Sequence, residues 1–277
     1  MHSEKKKVLI TGSSGYIGSH LTHALLPKYE VHGLDIVEPK IQPHKFFLRD
    51  ITQSLRDIDT KYHAVIHLAA KVSVTESESN PNLYIQTNGY GTINVFGTLE
   101  YDTFILASTG LAEYGDCIGN PYAVTKRAAE MVVETSPSHT IFRFYNVIGQ
   151  TVVPPTNPDG LMANLIESLE TKEFTIYGNV YNTRDHTCIR DYLHVDEVCA
   201  AIEKAIETPS NKIECLGHGI GYTVKEIVDI FQEVNNVKLD VKYGPKRSGD
   251  LPITMLKNVS PYMEKMYTIQ DLLKVKK

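Results

Sequence analysis

Cysteine is scarce in this sequence: Cys117, Cys188, Cys199 and Cys215 are the four among 277 residues. No two share the short spacing of a metal-binding pair, which argues against a metal centre and a disulfide framework and for free thiols in a cytoplasmic protein. Cationic charge is not in excess either. The net charge of −5 leaves no overall basic field, so nucleic acid and membrane are not expected partners, and any polyanion must be gripped locally. No apolar run is long enough to span a bilayer. The basic opening MHSEKKK leads only into one short apolar strand, so a solvated tail is expected rather than a signal peptide or anchor. Repeats, low-complexity tracts and linkers are missing as well, and one globular unit is expected, divided by function.

What is present starts at residues 7–20, KVLITGSSGYIGSH. Val8 to Ile10 form the aliphatic run of a strand buried on both faces. Gly12 permits a sharp turn out of it, Gly15 lets backbone approach a pyrophosphate, and Gly18 lets the following helix pack closely on the sheet. The helix N-terminus then offers free amides and a partial positive charge to phosphates. Strand, glycine turn and helix in this order make a nucleotide-phosphate cradle.

Strand and helix alternate through the first half. Strands are expected near 8–11, 31–35, 45–48, 64–67, 103–108 and 139–144, with helices near 16–26, 81–97 and 122–134. The last of these shows Ala123, Val124, Ala128, Met131 and Val132 at helical spacing. This pattern predicts an α/β fold, a Rossmann-type doubly wound parallel sheet, with a smaller C-terminal α/β substrate-binding domain. Residues 1–150 are expected to hold the cofactor, with later segments such as 180–200 returning to that domain, and 151–277 mainly the substrate. The turn-rich stretch at 152–160 marks the crossing. Beyond it the sequence predicts helices near 161–170, 195–207 and 224–234, and strands near 174–177, 214–216 and 238–243.

Asp35 closes the second strand about 20 residues after the glycine turn, where a carboxylate takes both hydroxyls of an adenine ribose and disfavours a 2′-phosphate; NAD is therefore the expected cofactor. Asp50 and the run His67-Leu68-Ala69-Ala70 fall at carboxyl ends of strands, where such folds place ligands. Asp50 suits the adenine amino group, and His67 reads as a packed core histidine. Tyr122 and Lys126 stand one helical turn apart. A cation beside a phenol lowers its pKa and makes a general base for a sugar hydroxyl. Ser108 and Thr109, after the fifth strand, both stand where a hydroxyl could share the substrate proton.

These residues together resemble the extended short-chain dehydrogenase/reductases. TGSSGYIGSH, HLAA, YAVTK and RFYN are family-wide; YGN at 177–179, DHTCIRDYLHV at 185–195, LGHGIGYTV at 216–224 and RSGDLP at 247–252 resemble the nucleotide-sugar epimerases within it. The resemblance runs from Lys7 to about Leu256. It implies NAD contacts at Gly12, Ser14, Gly15, Tyr16, Ile17, Gly18, Asp35, Ile36, Asp50, Ile51, Leu68, Ala69, Ala70, Lys71, Asn88, Tyr122, Lys126 and Phe144. It implies a UDP-sugar held by Thr109, Tyr145, Asn146, Leu161, Thr175, Tyr177, Arg190, Tyr192, Arg247, Asp250 and Thr254, with the two arginines on phosphate and Asp250 on the uridine ribose. The implied reaction is inversion at sugar carbon 4 by transient oxidation, in a homodimer joined through the helices beginning near Pro81 and Tyr122. Another nucleotide-sugar oxidoreductase, or a binder without turnover, are the rival readings.

The sequence also departs from that family. Gly110 stands where its catalytic hydroxyl is expected, so Thr109 or Ser108 must serve. Leu111 and Ala112 occupy positions of the acid groups used for elimination or decarboxylation, and Glu113 is expected to point away if the segment is extended. Loops between Asp35 and Asp50 and between Gly115 and Tyr122 are shortened, and Gly160 replaces an asparagine. Thr254, small where a tyrosine can block 2-acetamido sugars, is expected to admit N-acetylhexosamines.

Overall fold

Short buried aliphatic runs alternate with helices along the first half of the chain. In the computed structural model the described residues are 4–275, apart from 59, 115–119, 156, 158, 248–249 and 265. Cys117, most of the shortened loop before Tyr122 and part of the 152–160 turn therefore lie outside them. The described chain divides into two units: residues 1–143 with 199–214, and 144–198 with 215–277.

In chain order the first unit contains β1 (Lys7–Thr11), α1 (Tyr16–Leu25), β2 (Glu30–Asp35), β3 (Lys45–Leu48), β4 (Lys61–His67), α2 (Val74–Ser79), α3 (Pro81–Tyr84), α4 (Gly91–Thr98), β5 (Glu100–Thr109), α5 (Pro121–Val133) and β6 (His139–Phe144), the last ending at the boundary. Next come β7 (Asn146–Ile148), α6 (Leu161–Thr171), β8 (Glu173–Tyr177), β9 (Ile189–His194), α7 (Val195–Glu207), β10 (Ile213–Leu216), β11 (Gly221–Thr223), α8 (Val224–Val234), β12 (Asp240–Gly244), β13 (Ile253–Thr254) and α9 (Ile269–Leu273). The main sheet has seven strands in the order β10-β6-β5-β4-β1-β2-β3. The pairings from β5 to β3 are parallel, with Val8 opposite Val31 on one side and Ala64 on the other. From β1, inside the sheet, the chain builds outward through β2 and β3 on one side and through β4, β5 and β6 on the other, the doubly wound pattern,. Leu9, Leu34, Val65, Phe104, Leu106 and Ile141 are all buried in its core.

Every expected strand and helix forms, with small shifts at the ends, except that the expected helix over 81–97 is not continuous. A π-helical segment, Ile85–Tyr90, separates α3 from α4, and the Gly91 amide bonds the Gln86 carbonyl five residues back. The residues at 110–113 form a 3-10 turn rather than an extended segment, so the alternation expected to aim Glu113 away does not operate.

The second unit has its own core, in which Met162, Leu165, Phe174, Ile176, Tyr192, Ile227, Phe231 and Leu272 are buried together. Helix α8 starts on a capping box in which Thr223 and Glu226 each accept from the other's backbone amide,. Strands β7, β9, β11 and β13, and helices α2 and α9, lie outside the sequence expectation. They are short, and β9 carries Arg190 and Asp191 in its middle, which masks a strand pattern. Asp191 is nevertheless fully buried, because its carboxylate accepts the amides of His218, Gly219 and Leu256. Glu197 is held likewise by His194, Met266 and the His218 ring. Among the described residues no helix is long and apolar enough to cross a membrane.

Phe104 is wholly enclosed between sheet and helices. Phe104→Ala is expected to cost about 3–5 kcal/mol, transfer and cavity terms together, read as a lower urea midpoint with little change in slope.

Candidate active site and cofactor cradle

The cradle is built by close approach of backbone. Gly12 has φ +74°, and a Cβ there would sit 2.7 Å from the Ala69 amide nitrogen; a Cβ on Gly18 would sit 2.0 Å from the Gly12 carbonyl oxygen. No side chain fits at either place. Gly15 is different, since its Cβ would meet only the Gly12 oxygen, at 3.3 Å. It precedes α1 as an N-cap with no side-chain hydrogen bond, and no acidic residue stands in the first turn of Tyr16, Ile17 and Gly18. A helix start without a side-chain cap or an acidic residue suits an external anion,.

Asp35 ends β2 beside this turn. One carboxylate oxygen accepts from the Ser14 amide at 3.0 Å and the other from the amides of Ile36 at 2.7 Å and Val37 at 3.3 Å, while the Ser14 hydroxyl donates to the Val37 carbonyl. Asp50 forms a local turn by accepting from Thr52, and Ile51 is buried where a side chain on Gly91 would collide with it. After β4, Leu68 and Ala69 bond back to Thr11, and Ala70 and Lys71 continue the segment. The Asn88 amide group grips Lys71 on both sides, accepting from its N–H at 2.8 Å and donating to its carbonyl at 2.9 Å. That grip comes from the π-helical segment. His67 is a core histidine, as expected: its ring lies between the Thr11 and Thr92 hydroxyls, and burial lowers its pKa to about 3, so it stays neutral.

At the head of α5, Asn120 caps the helix by accepting from Ala123. Tyr122 is buried, edge-on to Tyr84, with the Thr109 hydroxyl close enough to favour its ionised form. Lys126, 5% exposed, donates to the Ala107 carbonyl at 2.8 Å. The Ser108 hydroxyl donates to Glu130 at 2.5 Å. Thr109 therefore meets the phenol while Ser108 is taken up elsewhere. The electrostatics differ from the sequence expectation. Burial pushes the phenol up to about 12, with the nearby Thr109 hydroxyl pulling the other way. Burial also lowers the Lys126 ammonium to about 8, opposed by the negative charge of Glu130. Desolvation thus outweighs the helical-turn neighbour, because the ammonium is aimed at backbone rather than at the phenol. Glu130 itself escaped the sequence reading. Its only signal was a carboxylate four residues past Lys126 on a buried helix face.

The other group of expected residues lies in the second unit. Arg190 donates to the Leu251 carbonyl at 2.8 Å and to Asp250 at 3.4 Å. Arg247 stacks over the Tyr177 ring at 4.1 Å and reaches the Asp159 carbonyl. Thr254 pairs with Arg190 across β13 and β9, and Thr175 lies two residues before Tyr177 on β8. Leu161 opens α6, and Asn146, next to Tyr145, donates to the Asp191 carbonyl. Phe144 and Tyr192 are buried, Tyr192 within the unit's core.

The sequence model of the NAD dependent epimerase/dehydratase family matches residues 8–215. The chain belongs to this family. It is 31% identical over 300 residues to UDP-glucose 4-epimerase 3 of Oryza sativa subsp. japonica, spanning 88% of this chain and 80% of that one. A UDP-glucose 4-epimerase crystal structure superposes with a TM-score of 0.78 at 30% identity over 90% of this chain and 88% of that one. The enzyme of Thermotoga maritima, solved with UDP-glucose, gives 0.84 at 25% identity over 97% and 96%. These findings bear out the resemblance and the Rossmann-type fold.

Between about 8 and its ordinary value of 10.5, Lys126 is neutral in the folded chain and protonated in the unfolded one. The unfolded state binds more protons there, so Lys126 adds stability as pH rises through that window. Tm measured against pH is expected to climb more steeply in the wild type than in Lys126→Met.

Proposed function

We propose that the protein is an NAD-dependent epimerase acting at carbon 4 of a UDP-hexose. The observation that carries this reading is the Tyr122–Thr109 hydroxyl pair with Lys126 one turn away, in the same unit as the glycine cradle. The cradle fits the cofactor: Gly12 and Gly18 keep side chains out, Gly15 leaves room, and the positive end of α1, with no side-chain cap, suits a pyrophosphate,. Beyond its bonds to Ser14, Ile36 and Val37, Asp35 retains acceptor capacity on Oδ2 for a ribose hydroxyl,. In this reading Asp50 and Ile51 serve the adenine and Leu68 to Lys71 and Asn88 the nicotinamide side, with Phe144 also among the cofactor residues. NAD, when bound, supplies an acceptor that takes a hydride from the sugar and gives it back.

The chain's own residues manage the proton. Tyr122 takes it from the hydroxyl on carbon 4 through its phenolic oxygen and returns it after the ring has turned. Thr109 bridges phenol and substrate, and Lys126 supplies the cation that favours the ionised phenol. The second unit, in this reading, anchors UDP through Arg190, Arg247 and Asp250, with Leu161, Thr175 and Tyr177 beside the nucleoside and Tyr145, Asn146, Tyr192 and Thr254 toward the sugar. Tight remote anchoring with a roomy reactive pocket lets the ketose rotate. Thr254 leaves space for a 2-acetamido group, so N-acetylated UDP-hexosamines belong to the substrate range.

We further propose a cytoplasmic homodimer. Cys188, a buried unbridged thiol, accords with a reducing compartment. Leu83, Tyr90 and Ile93 in the segment beginning at Pro81, and Val124 and Met131 on α5, are exposed apolar side chains, more than a lone helix face leaves in water without a partner. Met131→Glu is expected to halve the mass measured by light scattering.

Purified protein incubated with UDP-galactose, and separately with UDP-N-acetylgalactosamine, is expected to yield the C4 epimer of each without net NADH. Tyr122→Phe is expected to slow the exchange about 10²–10⁴-fold. Accumulating NADH would instead mark an oxidoreductase that releases its keto product. UDP binding without exchange would mark a binder.

A further inference from the structure

The end of β5 and one side of α5 meet rung by rung. Tyr122, Lys126 and Glu130 stand at successive helical turns beside three consecutive strand residues: the phenol has the Thr109 hydroxyl near it, Lys126 donates to the Ala107 carbonyl, and Glu130 accepts from the Ser108 hydroxyl. The first two rungs belong to the proton chemistry. The third has another use. Glu130 is wholly buried, and both of its oxygens are fully occupied. One accepts from Ser108 at 2.5 Å and Arg143 Nε at 2.8 Å; the other accepts from Arg143 at 2.7 Å and Arg127 at 2.8 Å. A carboxylate with its acceptor sites filled, beyond the reach of solvent, is not available to relay a substrate proton. Its bonds instead fix where the strand end lies.

We propose that Glu130 is a positioning residue: through Ser108 it sets β5 so that Thr109 lies beside Tyr122, and, one helical turn from Lys126 on α5, it is the counter-charge of the ammonium,. Ser108 is then a structural donor and Thr109 the proton-sharing hydroxyl. The kinetic part rests on the epimerase reading; the charge part does not. The groups around Lys126 are Tyr122 and Glu130 on its own helix, the Ala107 carbonyl on β5 and the neutral His67 ring on β4. Arg143 from β6 and Arg127 meet it only across Glu130. The carboxylate is therefore the one anion near the ammonium among the described residues. Removing its charge leaves the guanidinium groups uncompensated, which drives the lysine pKa down.

The test compares Glu130→Gln, Ser108→Ala and Thr109→Ala with the wild type. In protein labelled with [ε-13C]lysine, with Lys126→Arg identifying the signal, Glu130→Gln is expected to lower the Lys126 pKa by about one unit, and Ser108→Ala to leave it in place. In turnover, Thr109→Ala is expected to lose about 10²-fold or more in kcat. Ser108→Ala should lose less than about tenfold, and Glu130→Gln about tenfold with KM within about twofold and the alkaline limb of kcat moved down with the lysine. An unshifted Lys126 titration in Glu130→Gln, or a loss in Ser108→Ala equal to that in Thr109→Ala, overturns the proposal. Should Glu130→Gln not fold, the Ser108→Ala and Thr109→Ala comparison decides it. A wild type without epimer exchange sinks the epimerase reading, while the lysine titration still judges the charge of Glu130.

Discussion

A carboxylate removed from water must be met by donors, and at the end of β5 that requirement joins three elements that sequence separates. Glu130 is surrounded by Ser108 from the strand, Arg143 from β6 and Arg127 from its own helix. Burial works to raise its pKa, but these bonds prevail and hold it below the ordinary carboxylate range. Leaving such a charge unpaired costs about 3–5 kcal/mol, so the partners cannot drift apart without a large penalty. The second unit uses the same device. Asp191 gathers backbone amides from 218, 219 and 256, and Glu197 gathers them from 194 and 266. Each fixes loops far apart in the chain around the strand that carries Arg190 or the helix that follows it.

Tyr122 and Lys126 show the opposing side of burial. The same enclosure that excludes water holds the phenol protonated and weakens the ammonium. The protein groups alone do not prepare a base. In the proposed mechanism Lys126 must therefore be joined by further positive charge beside the phenol before a base forms, and no reactive phenolate stands in the resting protein.

Much of the fold was legible in the sequence where periodicity is strong and burial is two-sided. The strands through Val8, Val31, Ala64 and Ile141, and helices α5 and α8, announce themselves in this way. The glycine turn was legible because Gly12 and Gly18 answer to steric limits that no other residue satisfies. Strand β9 was not, since its polar middle is buried only through backbone donors contributed from elsewhere. The choice between Ser108 and Thr109 was not legible either. The Ser108 hydroxyl is taken by Glu130, whose partner Arg143 comes from a different strand, and spacing along one helix does not reveal that.

The π-helical segment also constrains how this chain can change. An α-helix advances about 100° per residue, and the Gly91-to-Gln86 bond accommodates one residue more than a regular turn. Excising a single residue between Ile85 and Tyr90 would restore regular winding and swing Asn88 around the helix, off the backbone of Lys71. Substitutions along the exposed side of this helix leave that geometry alone. Length, not composition, is what this stretch holds fixed, so natural variants of the chain should differ there in side chains and not in residue count.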